Sequence, residues 1–180
     1  MQLLLGSRYY QWNLQSHQLE REFQVPIIYE AFCAFSRDGK TLVQAGRFAT
    51  ATFSTRTGRT LSYLPKSPNP KPPRISTTAI SAYSSYIISN NFGVAQTRTG
   101  HVLWQFDPML ISATPVFSPD ETLTALRLSE KGRWEIRDTK TGHLIRTLSL
   151  MSGVSDGAFS PDNFTFYSVA DGIIYRQRVR

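Results

Sequence analysis

The side chains that could act as nucleophiles or metal ligands are few in this 180-residue chain, and they lie far apart. The chain has one cysteine, Cys33, and three histidines, His17, His101 and His143. Zinc ligands must converge within roughly 2.1 Å of one ion, and the sequence does not group the histidines, so we expect no metal site. A lone cysteine forms no disulfide within the chain, and we expect Cys33 to be a small buried apolar residue.

The aspartates fall in a recurring pattern of the form Phe-Ser-x-Asp. The copies are Phe35-Ser36-Arg37-Asp38, Phe117-Ser118-Pro119-Asp120 and Phe159-Ser160-Pro161-Asp162, with Tyr83-Ser84-Ser85 as a degenerate copy. Aspartate at such positions accepts hydrogen bonds from its own turn, so Asp38, Asp120 and Asp162 need no catalytic role. The chain also lacks a Gly-x-Ser-x-Gly motif and a phosphate-binding loop. We therefore expect no enzyme activity and no cofactor.

The basic side chains offer a binding site instead of a catalytic one. Arg56, Arg98 and Lys140 each occupy the second position of a Thr-x-Thr-Gly segment, and Arg59, His101 and His143 follow the three glycines. If the three segments are equivalent turns, these six residues form an arc that could bind an acidic peptide or a phosphate backbone. The alternative is a solvated turn copied by duplication.

The spacing of those turns reveals an internal repeat. Gly58, Gly100 and Gly142 follow one another at intervals of 42 residues, and His17 takes the place of the glycine one period earlier. Within each period lie short runs that favour β-structure, such as Leu123-Thr124-Ala125-Leu126 and Trp134-Glu135-Ile136-Arg137. A repeat of about 42 residues with four short strands is typical of a β-propeller blade. The predicted fold is all-β.

The best copy, Phe117 to Leu148, resembles the repeat of WD-repeat proteins, with Asp138 and Thr141-Gly142 in the expected places. Trp12-Asn13 is similar to the Trp-Asp pair of that family, although no Gly-His pair precedes any repeat. The resemblance implies a non-catalytic scaffold for protein–protein interaction. The segment around Trp104 is similar to quinoprotein propellers, which leaves open a fragment of a larger propeller enzyme, with no cofactor carried over.

The repeat predicts a single propeller domain or propeller fragment of four-stranded antiparallel blades. The blades are a partial one at 1–26, three full ones at 27–64, 75–109 and 110–151, and a partial one at 152–180, with a proline-rich loop at 65–74. This gives 18 strands, whereas four closed blades need 16 and five need 20. Three alternatives follow: a fragment of a longer propeller, a ring completed by self-association or a second chain, or a loosely closed five-blade ring.

Composition limits the partners and the location. The net charge of +7 mildly favours an acidic partner, but the basic residues are dispersed and the aromatic residues alternate within strands, so nucleic-acid binding is the weaker alternative. No apolar run approaches the 18 residues of a membrane helix. With one cysteine and no signal-peptide pattern at Met1 to Asn13, we expect a cytoplasmic protein that binds other proteins and no membrane.

Overall fold

The chain forms five antiparallel sheets. The computed structural model describes residues 2–5, 8–24, 32–45, 49–65, 78–83, 85–89, 93–107, 111, 114–128, 133–148 and 154–180. Within them, the sheets have three, four, four, four and three strands in chain order, which are the strand numbers that the repeat predicts. We call these sheets blades 1 to 5.

Each blade is a meander in which consecutive strands pair. Blade 1 contains β1 (Gln2–Leu5), β2 (Arg8–Trp12) and β3 (Leu19–Gln24). Blade 2 contains β4 (Phe32–Phe35), β5 (Thr41–Ala45), β6 (Ala49–Ser54) and β7 (Thr60–Pro65). Blade 3 contains β8 (Thr78–Ile80), β9 (Tyr86–Ser89), β10 (Gly93–Gln96) and β11 (Val102–Trp104). Blade 4 contains β12 (Val116–Phe117), β13 (Leu123–Leu128), β14 (Arg133–Asp138) and β15 (Leu144–Leu148), and blade 5 contains β16 (Val154–Phe159), β17 (Thr165–Ala170) and β18 (Ile173–Arg178).

The core lies between the blades and not within any one of them. Four apolar clusters occupy the four successive interfaces, and they are centred on Tyr9 and Phe53, on Val43 and Ile87, on Ile88 and Leu126, and on Trp134 and Phe166. A strand buries alternate residues against one neighbour, because successive side chains point to opposite faces of a sheet. The blades therefore stack side by side in chain order.

The first strand of each later blade lies on the inside of this stack. Strand β4 contacts β8, β8 contacts β12, and β12 contacts β16. Within the described part of the chain, the five blades are not closed into a ring. By alignment with the full blades, blade 1 shows the second, third and fourth strands, and blade 5 shows the first, second and third. The described residues contain no helix that could cross a membrane.

Two expectations from the sequence are wrong in detail. In blade 3 the serine that closes the inner turn is Ser81, whose N–H donates to the carbonyl of Tyr86 at 2.9 Å, so the degenerate marker begins at Ile80 and not at Tyr83. The marker residues Phe35 and Phe117 lie between blades and are half-buried, whereas Phe159 is buried.

Cys33 is exposed, not buried. It lies on β4 on the same side as Phe35, whose ring centroid is 5.9 Å from the ring centroid of Tyr9 in blade 1. That side of blade 2 faces blade 1, where the described residues include no inner strand to cover Cys33. The proline-rich loop lies outside the described residues, apart from Pro65, which ends β7.

Candidate functional site: the turn face

Inner turns, which join the first and second strands of a blade, are built by a serine and an aspartate in blades 2, 4 and 5. In blade 4, Ser118 Oγ donates to Asp120 Oδ1 at 2.6 Å and accepts from the N–H of Leu123 at 2.9 Å. The same serine–aspartate bond joins Ser36 to Asp38 at 2.7 Å and Ser160 to Asp162 at 2.5 Å. The recurring aspartates therefore hold turns, as the sequence predicts.

Outer turns, which join the third and fourth strands, carry the Thr-x-Thr-Gly segments. Their first threonines, Thr55, Thr97 and Thr139, are buried. Their glycines have φ between +70° and +73°, a region that favours glycine, and His17 takes the same place in blade 1 with φ of +57°. Each glycine also packs on the preceding blade: Gly58 against Phe23, Gly100 against Leu64, and Gly142 against Trp104.

Hydrogen bonds place both sets of turns on one face of the molecule. Within a blade the outer turn is tied to the inner turn, for example by Thr139 N–H donating to the Thr122 carbonyl at 2.9 Å. Between blades, the N–H of Tyr83 donates to Glu121 Oε1 at 2.5 Å, and the N–H of Asp120 donates to Asn163 Oδ1 at 3.2 Å. We call the surface formed by these turns the turn face.

An open pocket of about 390 Å³, lined mainly by apolar side chains, lies among the inner strands of blades 2 to 5. Phe35, Phe117 and Phe159 line it together with Arg37. This pocket explains why Phe35 and Phe117 are only half-buried, since part of each ring borders open space. The aromatic residue of the repeat therefore lines a concavity that begins beside the inner turns.

All six basic candidates are exposed on this face. Two lie at each outer turn, and equivalent residues are one blade apart. They are Arg56, Arg59, Arg98, His101, Lys140 and His143. None of the six forms an ion pair with a described residue. The described residues contain no cluster of histidine, cysteine, aspartate and glutamate that could hold a metal ion. The arrangement supplies dispersed positive charge, which can bind an anionic surface.

Sequence reasoning missed a fourth cation of the series. Val179 N–H donates to the Phe164 carbonyl at 2.8 Å, which is the bond that Thr139 makes to Thr122 in blade 4. Arg180 therefore occupies the position of Lys140, and it pairs with Asp120 at 3.3 Å. The signal was weak because valine replaces the threonine.

Trp104, the residue behind the resemblance to quinoproteins, has a packing role. Its Nε1 donates to the carbonyl of Thr139 at 2.8 Å, and its ring covers Gly142. The guanidinium of Arg137 lies 6.0 Å from the ring centroid. Trp104 thus joins blade 3 to the outer turn of blade 4.

The turn carboxylates are held in the ionised form. The N–H two residues later and then the serine hydroxyl two residues earlier lower the pKa of Asp38, and at Asp162 the serine hydroxyl is the larger cause of a lowered pKa. Partial burial raises the pKa of Asp120, but hydrogen bonds from Ser118 and Thr122 outweigh it and leave the pKa lowered. A carboxyl with a lowered pKa is a poor general acid at neutral pH, so these groups act as turn acceptors.

Blades stacked around inner strands define the class of this fold, which is a β-propeller. No protein-family model and no curated protein matches the chain. Among solved structures, 809 chains match. One is the "Complex of KlAtg21 with coiled-coil of AgAtg16", a β-propeller that matches 97% of this chain with a TM-score of 0.74 and 12% identity. This chain covers 59% of that chain. At such identity the likeness shows the fold alone, and a fold does not fix a function.

Proposed function

We propose that the protein is a non-catalytic interaction module, a WD-repeat-like propeller whose turn face binds an acidic stretch of a partner protein in the cytoplasm. The observation that carries this proposal is the series of exposed cations at one position of successive outer turns. The matched propeller was solved with a coiled coil bound, which supports a protein partner in general terms. The single cysteine supports a reducing compartment.

Within each turn, the side chains that stabilise the fold differ from the side chains that are exposed for binding. Ser118, Asp120 and Thr139 make the hydrogen bonds of their turns, whereas the side chains of Arg98 and Lys140 project into solvent and form no ion pair with a described residue. Exposed cations of this kind speed association with an anionic partner and add to its affinity.

The first test is photo-crosslinking in cells from a photoreactive residue at Arg98, with Tyr63, which is exposed on β7, as the matched position away from the outer turns. We expect Arg98 to capture a protein that Tyr63 does not. Reversing three charges together (Arg56→Glu, Arg98→Glu, Lys140→Glu) should then weaken binding of that purified protein by at least about tenfold. Recovery of nucleic acid in place of protein, or equal binding by the reversed variant, would refute the proposal.

A further inference from the structure

The open pocket among the inner strands combines apolar walls with a single charged side chain. Its lining comes from blades 2 to 5 and is apolar apart from Arg37 and Ser118. The hydroxyl of Ser118 already serves its own turn, because it donates to Asp120 and accepts from the N–H of Leu123. Among the described residues that line the pocket, the guanidinium of Arg37 is therefore the only charged group.

Arg37 departs from the repeat at its position in the inner turn. In blades 2 to 5 the N–H of a serine donates to the carbonyl of the residue that begins the second strand, at 2.8–3.0 Å. These serines are Ser36, Ser81, Ser118 and Ser160. The residue after the serine is Arg37 in blade 2, but it is alanine or proline in the other three blades: Ala82, Pro119 and Pro161. Duplication of a surface turn therefore does not account for this charge.

The charge of Arg37 is not neutralised within the described part of the chain. Arg37 is exposed and forms no ion pair with a described residue. The adjacent carboxylate of Asp38 has other partners, since it accepts from the hydroxyl of Ser36 at 2.7 Å and lies 3.6 Å from Nζ of Lys40. The guanidinium can therefore pair with a carboxylate of another molecule, to which it can donate two parallel hydrogen bonds.

The pocket suits a side chain that a larger partner carries. Pockets that hold small molecules bury about 70–90% of the ligand surface, whereas a small molecule in this open pocket would stay partly in water. A partner protein brings neighbouring residues that cover the mouth of the pocket. The rings of Phe35, Phe117 and Phe159 in the lining favour an aromatic side chain, because aromatic pairs gain from edge-to-face and offset contacts.

We propose that this pocket binds one aromatic side chain of a partner protein, next to an aspartate or glutamate of the same partner that pairs with Arg37. The aromatic ring packs against Phe35 and Phe117, which are half-buried and border the pocket. Buried aromatic anchors of this kind supply much of the affinity of protein interfaces. The site goes beyond the turn-face function, because none of the six outer-turn candidates lines it and because burial of an apolar ring adds to the attraction between charges.

The probe is a peptide of glycine and serine with one central phenylalanine–glutamate pair. Two matched peptides carry alanine in place of the phenylalanine, or lysine in place of the glutamate. Each peptide is titrated into the full 180-residue chain with isotope-labelled alanine methyl groups, and binding is followed by NMR. The methyl signals of Ala79, Ala82 and Ala158, which line the pocket, should shift saturably with the phenylalanine–glutamate peptide. Those of Ala51 and Ala170, which are buried between blades, should not shift. Each matched peptide should bind at least about tenfold more weakly.

Variants of the chain test the two contacts separately. Arg37→Glu, at an exposed position, should reverse the charge preference and select the lysine peptide. Ala158→Trp places a large ring in the pocket from an exposed position, so it should remove the preference for phenylalanine over alanine. Ala82→Trp fills the pocket from blade 3 and serves if the first variant loses the circular dichroism of the parent chain. The turn-face variant with three reversed charges should keep both preferences, so this proposal and the previous one can fail separately.

Three outcomes would overturn the proposal. Equal shifts with the phenylalanine and alanine peptides, or none with either, would show that the pocket binds no aromatic side chain. Equal binding of the glutamate and lysine peptides would show that Arg37 selects no carboxylate. Free phenylpropanoate that binds as tightly as the phenylalanine–glutamate peptide would make the pocket a site for a small acid in place of a partner protein. The expected result is saturable binding of the phenylalanine–glutamate peptide that requires both Arg37 and an unfilled pocket.

Discussion

Replacing Gly142 by alanine should destabilise the protein mainly by pushing blade 4 away from blade 3. The new Cβ would lie 2.7 Å from two atoms of the Trp104 ring, and Gly142 has φ of +73°. The left-handed backbone costs alanine about 1–2 kcal/mol, and overpacking typically costs about 1–3 kcal/mol more. The ring cannot turn aside freely, because its Nε1 is bonded to Thr139. We expect a total loss of about 2–5 kcal/mol.

Gly172 provides the matched control for this prediction. Its φ of +77° is nearly the same, but no atom lies within 4 Å of the added Cβ. Gly172→Ala should therefore cost only the backbone share, about 1–2 kcal/mol. The difference between the two variants isolates the contact between blades.

Urea unfolding followed by far-UV circular dichroism measures both variants. Adding Trp104→Leu should relieve the clash, so that the double variant loses about 1 kcal/mol less than the sum of the two single variants. Equal losses for Gly142→Ala and Gly172→Ala, to within about 0.5 kcal/mol, would show that the outer turn does not pack on the preceding blade. The reasoning about blade stacking would then be wrong.

Three further predictions concern burial and charge. Trp134→Ala, at a fully buried ring, should cost about 3–5 kcal/mol in urea unfolding, and Phe117→Ala, beside the open pocket among the inner strands, should cost clearly less. Because the folded-state pKa of Asp120 is lowered, its contribution to stability is present above the unfolded pKa of about 3.9 and is lost as the pH falls through the folded value. The difference in unfolding free energy between the parent chain and Asp120→Asn should therefore shrink below about pH 4. A difference that does not depend on pH would contradict this. Partial desolvation raises the pKa of the Cys33 thiol although the residue is exposed, and the thiolate is the reactive form. A thiol reagent should therefore modify Cys33 in the native chain, but more slowly than in urea, whereas complete native protection would show that the thiol is covered.

The repeat made most of the fold predictable, because its signals are local. A glycine at a left-handed turn and an aspartate that bonds its own turn need no distant partner, so Gly58, Gly100 and Gly142 and the aspartates of blades 2, 4 and 5 locate their turns from sequence alone. Blade 3 lacks both the aromatic residue and the aspartate of the marker. Its turn is held by Ser81 and by a carboxylate from blade 4, Glu121, which a local pattern cannot show.

The remaining differences depend on how the blades assemble. The exposure of Cys33 depends on its neighbours in blade 1, and the half-burial of Phe117 depends on an open pocket that residues of several blades line. Arg180 was missed because Val179 replaces the first threonine and because its spacing departs from the repeat. Two residues separate β17 from β18 where four separate β13 from β14, so Arg180 follows Lys140 by 40 residues and not by 42.

Different residues of a single turn serve the fold and the proposed binding surface. Partner binding can therefore be tested separately from folding stability. In the segment Thr139 to Gly142, the threonine and the glycine pack and bond within the fold, whereas the side chain of Lys140 between them is exposed to solvent. Charge at that position can change without disturbing the turn, since substitutions at exposed sites are usually within about 0.5 kcal/mol of neutral. Stability lost on reversing Arg56, Arg98 and Lys140 would therefore mean that these cations serve the fold, whereas unchanged stability with lost partner binding would assign them to recognition.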